Sequence, residues 1–113
     1  MMENLKFKGT PGPWEPAYMG GVCIGIRKKH QAGYSQMVLN TILPETDEAY
    51  EREKEEIEAN ARLGAAAPEL LEALQALIET LDEGGKMSDN NFLFLLNLRI
   101  SRAKEVIKKA LEG

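Results

Sequence analysis

The chain has 113 residues, 43% of them apolar and 28% charged, with a net charge of −4. That is enough to bury the core of one small domain and too hydrophobic for a disordered segment. One cysteine, Cys23, and one histidine, His30, exclude an intramolecular disulfide and a Cys/His metal cluster.

No apolar run approaches the roughly 18 residues that a membrane helix needs. Residues 1–8 hold neither an apolar signal core nor a cleavage pattern. The expectation is therefore a single cytoplasmic domain over residues 1–113. The net charge hides an asymmetry: residues 1–44 sum to +3, residues 45–83 to −10 and residues 84–113 to +3. A middle segment of one sign between ends of the other predicts electrostatic pairing, within a subunit or between subunits, or else a solvated acidic helix.

In chain order, Thr10-Pro11-Gly12-Pro13 forbids a helix and forces a turned or extended path into Trp14. A tryptophan held by stiff backbone is expected as a core anchor before it is expected as a ligand-stacking surface. From Tyr18 the pattern has period two: Val22, Ile24 and Ile26 alternate with Cys23, Gly25 and Arg27, which predicts a strand with one apolar face. Gly20-Gly21 marks a turn or bulge before it. Lys28 to Gly33 reads as a polar six-residue connection, and Tyr34 to Leu43 as the second strand of a hairpin, ended by Pro44. Two strands are marginal alone, so Leu5–Phe7 or Trp14 is expected to add a third, with helices covering one face.

Thr46-Asp47-Glu48 opens a Glu-rich helix whose thin apolar stripe is Tyr50, Ile57 and Ala61. The helix breaks at residues 63–68, where Pro68 suits the first turn of a new one. That second helix carries Leu70, Leu71, Leu74, Leu77, Ile78 and Leu81 and stops at Gly84-Gly85. Ser88-Asp89 caps a last helix running to about Leu111. Its first half, Phe92 to Ile100, is apolar around nearly its whole circumference, which predicts a central or subunit-shared helix and hence a homo-oligomer. In its second half Ala103, Val106, Ile107 and Ala110 are expected inward and the basic residues outward. Strands precede helices, so the fold class is α+β: a small N-terminal antiparallel sheet within residues 1–44, then three helices within residues 45–113.

No catalytic set emerges. His30 is the natural general base but lies in a basic loop with no fixed partner, and Cys23 reads as a small buried strand residue. The sequence holds no phosphate-binding Walker loop, dinucleotide fingerprint, zincin motif or serine elbow. The carboxylates from Glu51 to Glu58 point different ways around a helix, as a solvated face does. The chain is read as a non-enzyme without cofactor or metal.

Small-anion binding is better supplied. A nucleotide needs cations for phosphate, an aromatic face for the base and amides for specificity. Arg27, Lys28, Lys29 and His30 form one basic loop, while Arg99 and Arg102 share a face of the last helix. Arg99 lies in the most apolar stretch, so its burial requires a carboxylate or a bound phosphate. The plainer reading is an ion pair with the Glu-rich first helix. Trp14, Tyr18 and Tyr34 are the stacking surfaces. The overall acidity and the split basic residues argue against nucleic acid, and a membrane role lacks an anchor.

Thr10-Pro11-Gly12-Pro13-Trp14, followed some fifty residues later by Asn60-Ala61-Arg62-Leu63-Gly64-Ala65-Ala66-Ala67-Pro68-Glu69-Leu70-Leu71-Glu72-Ala73-Leu74, resembles a set of small phage and prophage proteins. These carry TPGPW near the start and NARLIAAAPELLEAL in the second half. This chain departs from them at Gly64, where a bulky aliphatic is usual. The resemblance implies a phage accessory protein, and puts Asn60 and Arg62 among the candidate ligand residues beside their structural role at a helix break. By analogy of size and layout it is similar to the phage counter-defence sponges that sequester cyclic nucleotides or cyclic ADP-ribose derivatives. Two functions are expected in consequence: an oligomeric protein that captures a small nucleotide-derived ligand, or an inhibitor whose acidic helix over residues 46–62 meets a basic surface on a host protein.

Overall fold

Two adjacent glycines turn the chain back on itself. Gly20 and Gly21 have φ of 58° and 80°, the left-handed pair that a two-residue hairpin turn needs. They join β1 (Trp14–Met19) to β2 (Val22–Lys28), which pairs on its other edge with β3 (Met37–Asn40). The computed structural model describes residues 6–29, 37–41, 43–84 and 88–112. Among these the sheet is three-stranded, antiparallel and ordered β1-β2-β3. Of the two candidates for a third strand, the segment starting at Trp14 is the one used. His30, Tyr34 and most of the β2–β3 connection lie outside the described residues.

The simple alternation of β2 is broken. Its ladder to β1 passes from Ala17↔Gly25 to Tyr18↔Cys23, leaving Ile24 as an extra residue. This bulge resets the phase, so Cys23 and Ile26 are buried whereas Ile24 is half-buried. Gly25 sits at φ 150°, and a Cβ there would overlap the Leu39 carbonyl oxygen; only glycine fits.

Thr46 caps α1 (Asp47–Ala65) by accepting from the Ala49 N–H at 3.1 Å. The predicted stripe of Tyr50, Ile57 and Ala61 is buried together with Ala65, and it covers one face of the sheet through Cys23 and Ile26. Tyr50 also reaches the bulge, its hydroxyl accepting from the Cys23 N–H at 2.8 Å. Ala66 alone separates α1 from α2 (Ala67–Glu83), with Pro68 in the first turn of the latter. α3 (Asp89–Glu112) begins at Ser88, whose Oγ accepts from the Asn91 N–H, and returns antiparallel along α2 and then past α1.

The seam between α2 and α3 is built from small groups, with Ala73, Thr80, Val106 and Ala110 buried. The Thr80 hydroxyl is satisfied by the Ala76 carbonyl at 2.8 Å. Ala103 also turns inward, but Ile107 does not, being exposed on the flank of α3. The apolar stretch from Phe92 to Ile100 is not central within this chain either: Phe92, Leu95 and Leu96 are half-buried, while Leu93, Phe94 and Leu98 are exposed. One small chain lacks the elements to surround the helix. The shape is accordingly long, 59 × 26 × 21 Å, with a radius of gyration of 17.9 Å against roughly 13 Å for a compact domain of this size.

Gly64, the departure from the resembled signature, lies on the face of α1 toward β2. A Cβ there would come within 2.6 Å of Ile26 Cδ1, so Ile26 fills the space that a bulky residue 64 would take. Gly64→Ile is expected to cost about 1–3 kcal/mol by overpacking. Combined with Ile26→Ala, it should cost at least ~0.5 kcal/mol less than the two single changes added. Urea midpoints of the four proteins check this; strict additivity would mean that the two side chains do not compete for one space.

Candidate functional site

The N-terminal segment packs across the joint between α1 and α2, which brings the two halves of the signature together. Gly12 lies so close to Pro68 that a Cβ would sit 2.7 Å from the proline Cβ. Trp14 is half-buried against the core, its indole N–H donating to the Thr10 carbonyl at 3.1 Å. Phe7 stands edge-on to it with ring centroids 6.1 Å apart. The Lys29 N–H donates to the Pro13 carbonyl at 2.9 Å, so the end of β2 is tied to the same segment.

Three adjoining cavities follow from this packing. The first, of 220 Å³, is lined by Trp14, Glu15, Lys29, Arg62, Glu69 and Lys109 among others. It gathers the Trp14 ring from the start of β1 and three cations, from just past the end of β2, from α1 and from α3, around two carboxylates. The second, of 580 Å³, runs between Phe7, Pro11 and Pro13 on one side and Pro68, Glu69, Glu72, Gln75 and Arg102 on the other. The third, of 140 Å³, holds Arg99 and Arg102 opposite Glu69 and Glu72. Glu69 borders all three.

Of the residues singled out in the sequence, Trp14 and Arg62 therefore meet, and Arg99 and Arg102 meet in a neighbouring cavity. Arg99 is exposed rather than buried, because α3 has no covering layer at that level. Arg102 pairs with Glu105 of its own helix at 3.8 Å, and the acids that line the cavity with the two arginines belong to α2, not to the Glu-rich α1. Arg27 is drawn across the sheet to Glu15, its ladder partner, at 3.6 Å, and its Nε donates to the Lys28 carbonyl at 3.5 Å. Lys28 pairs with Trp14 across β2 and β1 and Asn60 is exposed on α1; neither lines the three cavities. His30 and Tyr34 lie outside the described residues. Tyr18 is exposed on the sheet edge, and its phenol is pushed above the usual range, first by partial burial and then by the Glu58 carboxylate.

Sequence reasoning passed over Lys109, Glu69 and Glu72. Lys109 read as one of several outward cations at the end of a helix, and nothing local shows that this end returns to the α1–α2 joint.

A family model described as Salmonella phage P22 protein Y8K6 matches residues 1–113. The chain belongs to that family. This agrees with the phage origin that the resemblance implied. No curated protein and no solved structure matches the chain. Among the described residues of this family member, no helix is long and apolar enough to cross a membrane.

The close approach of Gly12 to Pro68 is directly testable, because Trp14 is the only tryptophan. Gly12→Val should lift the segment from α2 and move the Trp14 emission to longer wavelength while the helical circular dichroism is kept. An unshifted spectrum would show that the segment tolerates the added bulk in place.

Proposed function

We propose that this phage-family protein captures a small anionic, nucleotide-derived ligand in the host cytoplasm and holds it without turnover. The observation that carries the reading is the convergence of Trp14, Lys29, Arg62 and Lys109 on one cleft. Cations drawn from three separate elements repel one another, and they sit together most favourably around an anion. With Glu15 and Glu69 counted, the cleft keeps one positive charge in excess. Its 220 Å³ is small beside the roughly 300–1,000 Å³ of ordinary ligand sites, so it suits a phosphate-sized group. The adjoining 580 Å³ groove, with the Phe7 ring, three prolines, Gln75 and Arg102, offers room and an apolar wall for a base or sugar. Capture rather than turnover agrees with the full burial of Cys23, the chain's one thiol.

The test is titration of the protein with cyclic ADP-ribose and with cyclic mono- and dinucleotides, followed by Trp14 fluorescence and calorimetry. Saturable binding by one of them is expected, with the ligand recovered intact. Arg62→Ala should weaken it roughly tenfold to a hundredfold, the worth of one charge-assisted hydrogen bond. No heat and no quenching across the panel, or equal affinity in the variant, would remove the reading.

A second reading rests on α1. This helix carries Glu51 and Glu55, both exposed, and the half-buried Glu58 at one-turn spacing, and among the described residues no ion pair engages them. On this reading the acidic stripe docks on a basic surface of a host protein. Changing all three to lysine should abolish capture of that partner, and capture by the original chain should weaken steeply between low and physiological salt. Capture indifferent to both would dispose of it.

A further inference from the structure

The α2–α3 hairpin has two unlike sides. A step of about 100° per residue places Leu74 and Leu81 of α2 and Leu93, Ile100 and Ile107 of α3 on one side. Glu72 and Arg102, which line the cavities, fall on the other. Those five apolar side chains are all exposed, Leu74 and Leu93 by 56% and 54%. They recur at seven-residue intervals along each helix, the repeat of a helix–helix seam. No described element of the chain covers them.

We propose that this side of the hairpin is a self-association face, and that a second copy of the chain packs on it to complete a four-helix bundle. Two observations select a second copy over any other occupant. The first is area. The chain exposes 8420 Å², whereas a folded monomer of 12.6 kDa exposes about 6,200 Å². The excess of about 2,200 Å² is what a permanent homodimer removes from each partner, roughly 1,000–2,500 Å².

The second is shape. A face two helices wide, with a heptad stripe on each, is filled by another such face, and the second copy presents one by symmetry. The same arrangement leaves the opposite side, with its cavities, open. The inference stands whether or not the ligand reading holds.

Sedimentation equilibrium of the intact chain should give twice the 12.6 kDa mass. Leu74→Glu with Leu93→Glu should halve that mass and keep the helical circular dichroism. Phe94→Glu adds one charge of the same sign on the far flank of α3, at a residue that is 71% exposed; it should leave the doubled mass unchanged. A single-chain mass for the unaltered protein overturns the proposal, as does dissociation by Phe94→Glu but not by the double change. Hydrogen exchange of the unaltered chain over a dilution series adds a readout that needs no variant. Protection on α2 and α3 should fall on dilution while that of the sheet is kept, and protection independent of concentration overturns the proposal.

Discussion

α1 lies on the sheet at the distance that small residues permit. Ala61 and Ala65 are buried against β2, and Gly64 offers no side chain where Ile26 projects. The bulge at Gly25 turns Cys23 and Ile26 onto this one face, and the Tyr50 hydroxyl takes up the Cys23 N–H there. Shape and polar satisfaction meet in one contact. A buried amide left without that acceptor would cost about 1–3 kcal/mol, a large fraction of the stability a domain this size can have.

The rest of the molecule is hung from that contact. With α1 fixed on β2, and only Ala66 between α1 and α2, the start of α2 lands beside the end of β2 and the entry to β1. Pro11 to Trp14 then has a surface to lie on, and Gly12 comes flush with Pro68. α3 returns along α2 and delivers Lys109 to the same joint. Four separate parts of the chain thus supply one cleft, and none was adjacent in sequence. Such a cleft has a defined shape only while the α1–β2 contact holds.

Beyond the joint, the hairpin has little to stabilise it within one chain. The fully buried residues between α2 and α3 are small (Ala73, Thr80, Val106 and Ala110), and each removes little apolar surface from water. Several large side chains, Leu74, Leu81, Leu93 and Ile107 among them, are on the outer flank instead. This arrangement divides the molecule into a polar side facing the N-terminal segment and an apolar side facing away.

The sequence by itself determined the kinds of element and their order. Periodicity is a local property, so the strand through Val22 to Lys28, the Tyr50/Ile57/Ala61 stripe, the Thr46 and Ser88 caps and the break at Pro68 were all legible, and with them the α+β class. A phage origin was legible as well, through the resemblance of Thr10 to Trp14 and Asn60 to Leu74 to small phage proteins. Tertiary structure alone decided the rest. Which face of β2 is buried depends on a bulge, and so on a ladder partner far along the chain. Whether Arg99 is buried depends on what packs over α3, and nothing in its own neighbourhood says that the answer is solvent. The cleft depends on distances between Trp14, Lys29, Arg62 and Lys109, which belong to contacts separated by up to the length of the chain. Local pattern reads out propensity and amphipathic phase; it holds no information about which apolar face will find a partner within the same molecule.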